Sequence, residues 1–167
     1  MKCFSILIAA LAFCATPTQA QDTQSESAAP SAMAKATEQV RFLTERKPAT
    51  DAAYYMYVNS AYWCAPCRRT IPLIIAEYEE MRKDNHMEVI LFNHDHSEKG
   101  ALWYIELCSI PFPAVMYHSE DRTKLPGATF KAECIPYIVI VDAQGNTVHS
   151  GHASTYKNWR EYTKKTN

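Results

Sequence analysis

Apolar positions along this chain change their period several times, and each change marks an element. Met33, Ala36, Val40 and Leu43 recur at steps of three and four, one face of an amphipathic helix that must end before Pro48. Residues 54–58 form an aromatic and β-branched run that fits a buried strand. From residue 67 to about 83, Ile71, Ile74, Ile75, Tyr78 and Met81 return at helical spacing, with Arg68, Arg69, Glu77, Glu79, Glu80 and Arg82 on the other faces. Pro72 falls inside this helix and is expected to kink it. Residues 88–92 read as a second strand, 99–108 as a helix and 114–117 as a short strand. A polar segment follows through Ala132, with room for a helical turn or two. Residues 137–141 are the clearest strand, and Asp142-Ala143-Gln144-Gly145-Asn146 is a turn leading into a partner strand at 147–150. A helix over 156–164 closes the chain. Strands alternating with helices, then a hairpin and a helix, predict an α/β sheet covered on both faces.

Ahead of these elements the pattern is different. Met1 and Lys2 precede an apolar run over residues 4–15, and small residues return at Thr16-Pro17-Thr18-Gln19-Ala20. Residues 1–20 therefore read as a signal peptide cut after Ala20. The run falls short of the ~20 apolar residues a spanning helix needs, although an uncleaved N-terminus would serve as an anchor. Phe13 before Cys14 does not suit a lipoprotein cleavage box, which wants a small residue there. Residues 21–32 are polar and read as a flexible linker, since they bury too little to offset the entropy of ordering them. The folded domain is expected over 33–167, one core being the natural fit to 167 residues. The export signal places the protein in the periplasm or outside the cell.

Composition sharpens this only at two points. Seventeen basic and eighteen acidic residues leave a net charge of -1, so no whole-chain field recruits nucleic acid or an anionic membrane. Of six cysteines, Cys3 and Cys14 leave with the signal peptide; Cys64, Cys67, Cys108 and Cys134 remain, free to form disulfides in an oxidising compartment.

Cys64 and Cys67 stand three apart where a strand gives way to a helix. That spacing puts both sulfurs on one side of the first helical turn, near unpaired amides and the positive end of the dipole, which favour a thiolate at Cys64. Pro66 suits this turn because its missing N–H would be unpaired anyway. Cys64, nearer the open end, is the expected nucleophile. Cys67, one turn deeper, is expected to resolve the mixed disulfide. A zinc site would need a second ligand pair, and Cys108 and Cys134 stand alone. Haem attachment would need His where the chain has Arg68. A purely structural disulfide and a Cu(I) carrier, or a redox-inert binding module, remain the competing readings of the same pair.

Trp63-Cys64-Ala65-Pro66-Cys67 resembles the W-C-x-P-C active site of the thioredoxin superfamily. Pro72 matches the family's proline in the active-site helix, and Ile135-Pro136 its cis-proline step beside the disulfide. Gly145 and Gly151 match its hairpin and post-strand glycines. Ala61 to Arg68, with the extra length between Phe92 and Cys134, is most similar to the nucleoredoxin, tryparedoxin and TlpA-like branches. The resemblance implies a thioredoxin fold with a central mixed sheet and helices on both faces, and a thiol–disulfide oxidoreductase of the protein-disulfide reductase type. It implies Cys64 and Cys67 as catalytic residues, and Trp63, Ala65, Pro66, Ile135 and Pro136 as substrate-binding residues. It implies disulfide-containing protein substrates, an upstream thiol electron donor, and no cofactor or metal. Where thioredoxins place a buried Asp six residues before the first cysteine, this chain has Val58. Cys134, two residues before the expected cis proline, has three readings: a small core residue, a disulfide with Cys108, or a third redox thiol. Cys108 is the second accessory thiol.

His94-Asp95-His96 invites a metal assignment. Adjacent side chains of an extended segment point opposite ways, so the three cannot share one ion; His94 and His96 could still pair, but no Cys or third His is placed by sequence to complete the set. Tyr54, Tyr55, Tyr57 and Tyr62 read as strand packing rather than a nucleic-acid stacking surface, since no basic stripe accompanies them.

Overall fold

A computed structural model of the chain describes residues 31–128 and 134–164. The expected signal peptide, most of the linker and residues 129–133 lie outside the described residues. Five strands form one sheet in the order β3-β2-β1-β4-β5. They are β1 (Tyr54–Ser60), β2 (Met87–Asn93), β3 (Ala114–Met116), β4 (Tyr137–Asp142) and β5 (Thr147–Gly151). β1, β2 and β3 run parallel, while β4 is antiparallel to both β1 and β5. The expected mixed sheet is present.

Side chains alternate across it strictly, because strand neighbours point to opposite faces. Met56, Val58, Val89, Leu91, Ile138 and Ile140 enter one core cluster, which takes Ile71, Ile74 and Tyr78 from α2 (Ala65–Arg82) and Tyr104 and Ile105 from α3 (Glu98–Leu107). Tyr55, Tyr57, Ile90, Phe92, Val139 and Val141 enter the other, against Met33 and Ala36 of α1 (Ala32–Gln39) and Leu125 beyond α4 (Glu120–Lys124). The three central strands are thus apolar on both faces, which is why each reads as a continuous apolar run.

Two helices differ from expectation. α1 begins one residue before the expected domain boundary, capped by the Ser31 hydroxyl that accepts the Ala34 N–H at 3.1 Å, and it ends at Gln39. Val40 and Leu43 are buried from the non-helical chain after it instead, where the Leu43 N–H donates to the carbonyl of Ala114, the first residue of β3, at 2.7 Å. The C-terminal helix is a 3-10 segment over Ala153–Asn158 and a single turn, α5 (Trp159–Tyr162). Thr163 stops it: its hydroxyl donates back to the Trp159 carbonyl at 2.9 Å and lies 2.7 Å from the His86 ring nitrogen. α2 runs unbroken through Pro72, which withdraws one backbone donor from the ladder. Among the described residues, no helix is long and apolar enough to cross a membrane.

Candidate functional site

β1 delivers the chain to the C-terminal edge of the sheet through Asn59 and Ser60, both fully buried, and a short turn brings it to Cys64. Cys64 has extended geometry and caps α2: its sulfur accepts the Cys67 N–H at 3.1 Å, satisfying an amide that the helix itself cannot pair. The two cysteines are bonded as a disulfide, with Cα atoms 5.2 Å apart. Cys64 is 5% exposed and Cys67 not at all, so the pair has one approachable edge. Across from it the Ile135–Pro136 peptide bond is cis. The Ile135 carbonyl oxygen lies 3.4 Å from the Cys64 sulfur, and the Ile135 side chain packs on Ala61, Cys64 and Cys67. In the reduced state the cap amide and the helix dipole both favour a thiolate at Cys64, and the Ile135 carbonyl can accept from its thiol.

Trp63, Ala65 and Pro66 form an exposed rim on the helix side of the disulfide, Trp63 being 53% exposed. The Trp63 indole donates to the His94 carbonyl at 3.3 Å, and its ring lies parallel to the His96 imidazole at 6.1 Å. Tyr62 is wedged behind the rim. The Arg68 guanidinium sits over its ring at 5.1 Å and donates to its carbonyl, and the ring meets Trp103 of α3 edge-on at 4.3 Å.

Around the loop that leads to Cys64 lies a set of buried and half-buried polar groups that sequence reasoning did not assemble. Asp95 accepts the Tyr62 N–H on both carboxylate oxygens, at 3.1 and 3.2 Å, and takes the Asn93 side-chain amide at 3.0 Å. The Asp95 N–H in turn donates to Asn93 Oδ1 at 2.8 Å. His94 reaches the other way: its Nε2 lies 2.9 Å from Asn59 Oδ1, and Asn59 Nδ2 donates to the Tyr137 carbonyl at 3.1 Å, tying β2 to β1 and β4. The His94 ring stacks on Tyr117 at 3.7 Å. Burial, and then the positive charges of His118 and Arg122, lower its pKa to about 4, so the ring is neutral at pH 7 and Nε2 is the donor to Asn59. Ser60 and Tyr104 share a buried hydroxyl pair at 2.9 Å, and burial pushes the Tyr104 phenol up to about 12. At the position where thioredoxins keep an acid, Val58 is buried in the apolar cluster. His94-Asp95-His96 thus supports the Cys64 loop and the indole. The sequence signal was an Asp two residues past a strand that ends at the active-site edge.

The accessory thiols are both free. Cys108 caps the C-terminus of α3, half-buried; burial pushes its thiol pKa up, with Arg68 opposing. Cys134 is exposed, its sulfur 3.8 and 3.9 Å from the two ring nitrogens of His152, while His152 Nδ1 lies 3.4 Å from the Pro136 carbonyl. Its readings as a small core residue and as a partner of Cys108 are both corrected. In the turn before Pro136 the chain directs Ile135 onto the disulfide, and the neighbouring Cys134 side chain faces outward.

Comparison with known proteins accords with this geometry. A nucleoredoxin from Xenopus laevis is 27% identical over 99 residues, which cover 59% of this chain and 23% of that protein. A tryparedoxin from Trypanosoma brucei brucei is 28% identical over 58% of this chain and 65% of its own length. The chain thus spans about a quarter of the nucleoredoxin it matches. The crystal structure of tryparedoxin I from Crithidia fasciculata superimposes with a TM-score of 0.53 at 27% identity, covering 69% of this chain and 78% of that one. A family model described as thioredoxin-like matches residues 52–147, from just before β1 to the start of β5, and with it the chain belongs to the thioredoxin-like family.

Proposed function

We propose that the protein is an extracytoplasmic thiol–disulfide oxidoreductase that reduces or exchanges disulfides in exported proteins. The carrying observation is the placement of Cys64: it is the cap of α2, bonded to the fully buried Cys67, beside a cis proline and at the one exposed edge of the pair. In the reduced protein the Cys64 thiolate attacks a substrate disulfide, forming a mixed disulfide and expelling one substrate thiolate. Cys67 loses its proton and attacks the Cys64 sulfur, releasing the second substrate thiolate and leaving the Cys64–Cys67 bond of the structure. Two electrons pass to the substrate, and an upstream dithiol returns them. Trp63, Ala65, Pro66, Ile135 and Pro136 border the reacting sulfur and contact the substrate around its disulfide. The reducing direction follows from Ala65-Pro66 between the cysteines, which lies closer to thioredoxin-like reductants than to the His-containing dipeptides of strong oxidants. The extracytoplasmic setting rests on the charged, apolar and small-residue order of residues 1–20.

Replacing Cys64 by Ser is expected to abolish reduction of a protein disulfide by dithiothreitol through this protein. Replacing Cys67 by Ser is expected to leave Cys64 able to attack and unable to release, so mixed disulfides accumulate and appear on non-reducing gels. Undiminished turnover by Cys64→Ser protein would refute the assignment. A fusion of residues 1–32 to a reporter that is active only after export tests the location, and retention of the reporter in the cytosol would overturn it.

A further inference from the structure

The Pro66 side of the dithiol opens into a groove that the reaction itself does not use. Its volume is about 330 Å³, and it lies between the first two turns of α2 and the 3-10 segment after β5. Pro66, Arg69 and Leu73 form one wall, Ser154 and Lys157 the other. Pro66 belongs to both the groove and the active-site motif, so the groove begins two residues from Cys64.

Its chemistry is specific. Arg69 and Lys157 are both exposed, one on each wall, and neither has an ion-pair partner among the described residues. No carboxylate among the described residues lines the groove. The neighbouring cation, Arg68, is turned to the opposite flank, where it covers Tyr62. The acid one turn beyond Leu73, Glu77, is held by Arg160 at 3.0 Å. The positive end of the long helix α2 adds to the same field. Leu73, 49% exposed, supplies an apolar surface between the two cations.

We infer that this groove docks an acidic segment of the disulfide-bearing partner protein, with carboxylates at Arg69 and Lys157 and an apolar side chain on Leu73. The inference rests on the oxidoreductase reading and adds to it a charge preference for the partner. Exposed pairs of this kind contribute modestly one at a time, but two acting together near the reacting sulfur bias both encounter and orientation.

The test uses two synthetic peptides carrying the same disulfide, one flanked by Glu-Leu-Glu and the other by Gln-Leu-Gln, reduced by dithiothreitol through the complete protein. The quantity read is the ratio of their kcat/KM values, in which any change in the dithiol cancels. At low salt the acidic peptide is expected to be favoured about fivefold to tenfold, the preference fading as salt shortens the Debye length. In an Arg69→Glu, Lys157→Glu double variant the ratio is expected to fall below one. A ratio near one in the unaltered protein, or one unchanged by the double substitution, overturns the inference. A second measurement stands apart from turnover: a cysteine-free Glu-Leu-Glu peptide added to the oxidised protein should shift the amide resonances of Thr70, Leu73 and Ser154. Absent shifts there overturn the groove, whereas shifts there without any peptide reduction would fault the oxidoreductase reading and spare the groove.

Discussion

Acid should weaken this fold through one ring in particular, His94. Folded, the ring is half-buried against Tyr117, keeps Nε2 on Asn59 and has its pKa lowered to about 4; unfolded, it titrates near the ordinary imidazole value of about 6.5. The folded value is the lower one, so between these values the unfolded chain binds a proton that the native state does not, and stability falls as pH falls. It is fully present above about pH 6.5 and lost progressively towards pH 4. Integrating the two titrations from pH 7.5 to 4.5 gives an upper bound of about 2.5 kcal/mol, which solvent on the open side of the ring reduces to about 1–2 kcal/mol. Glu98 and Asp121, held low by hydrogen bonds and charge from Arg41 and Lys124, and Asp142, held low against its partial burial by hydrogen bonds from Asn146, Gln144 and Gly145, give up their stabilisation over a lower range in every variant. The His94 share is therefore the difference between the unaltered protein and His94→Gln, which retains an amide donor for Asn59. Urea unfolding at pH 7.5, 6.0 and 4.5 measures it, and the variant's stability should fall by about 1–2 kcal/mol less over that range. Equal slopes in the two proteins, or an NMR titration placing the His94 midpoint near 6.5, would refute the reasoning.

Three further outcomes follow from single contacts. Asp95→Ala strips the Tyr62 N–H and the Asn93 amide of their acceptor, so a loss of about 2–3 kcal/mol in urea unfolding is expected, together with slower disulfide reduction as the Cys64 loop loosens. Gly145 turns the hairpin at φ 87°, and a Cβ there would collide with Pro126, so Gly145→Ala should lower stability by about 2 kcal/mol or more, read as a drop in Tm. Iodoacetamide applied to the oxidised protein at neutral pH should modify exposed Cys134 well before Cys108, whose half-buried thiol is harder to ionise; mass spectrometry of timed samples decides the order.

How much of this was legible in the sequence depends on whether a residue's role is set by its neighbours along the chain or across the sheet. β1, β2 and β4 are buried on both faces, so the continuous runs at 54–58, 88–92 and 137–141 located them directly. The ends were harder. β1 runs two residues further than its apolar run because Asn59 and Ser60 are buried polar groups, and their partners, His94 and Tyr104, lie 35 and 44 positions away. The C-terminal helix shrank for a similar reason: Thr163 spends its hydroxyl on the preceding turn and on distant His86, a competition that helical spacing does not register.

The active site shows the same division more sharply. Trp63, Cys64, Ala65, Pro66 and Cys67 are contiguous, and one helical turn is enough to arrange them, so the motif was readable as it stood. Nothing local joins that motif to Asp95, which meets it only because β1 and β2 run parallel in a register pairing Ser60 with Asn93. This register brings both strand ends to one edge, and the two residues after each strand come into hydrogen-bond range: Tyr62 after β1 and Asp95 after β2. The carboxylate missing at Val58 is thus not missing from the neighbourhood. The chain keeps a buried acid one strand over, where it holds the backbone of the Cys64 loop, while Val58 itself stays in the apolar cluster.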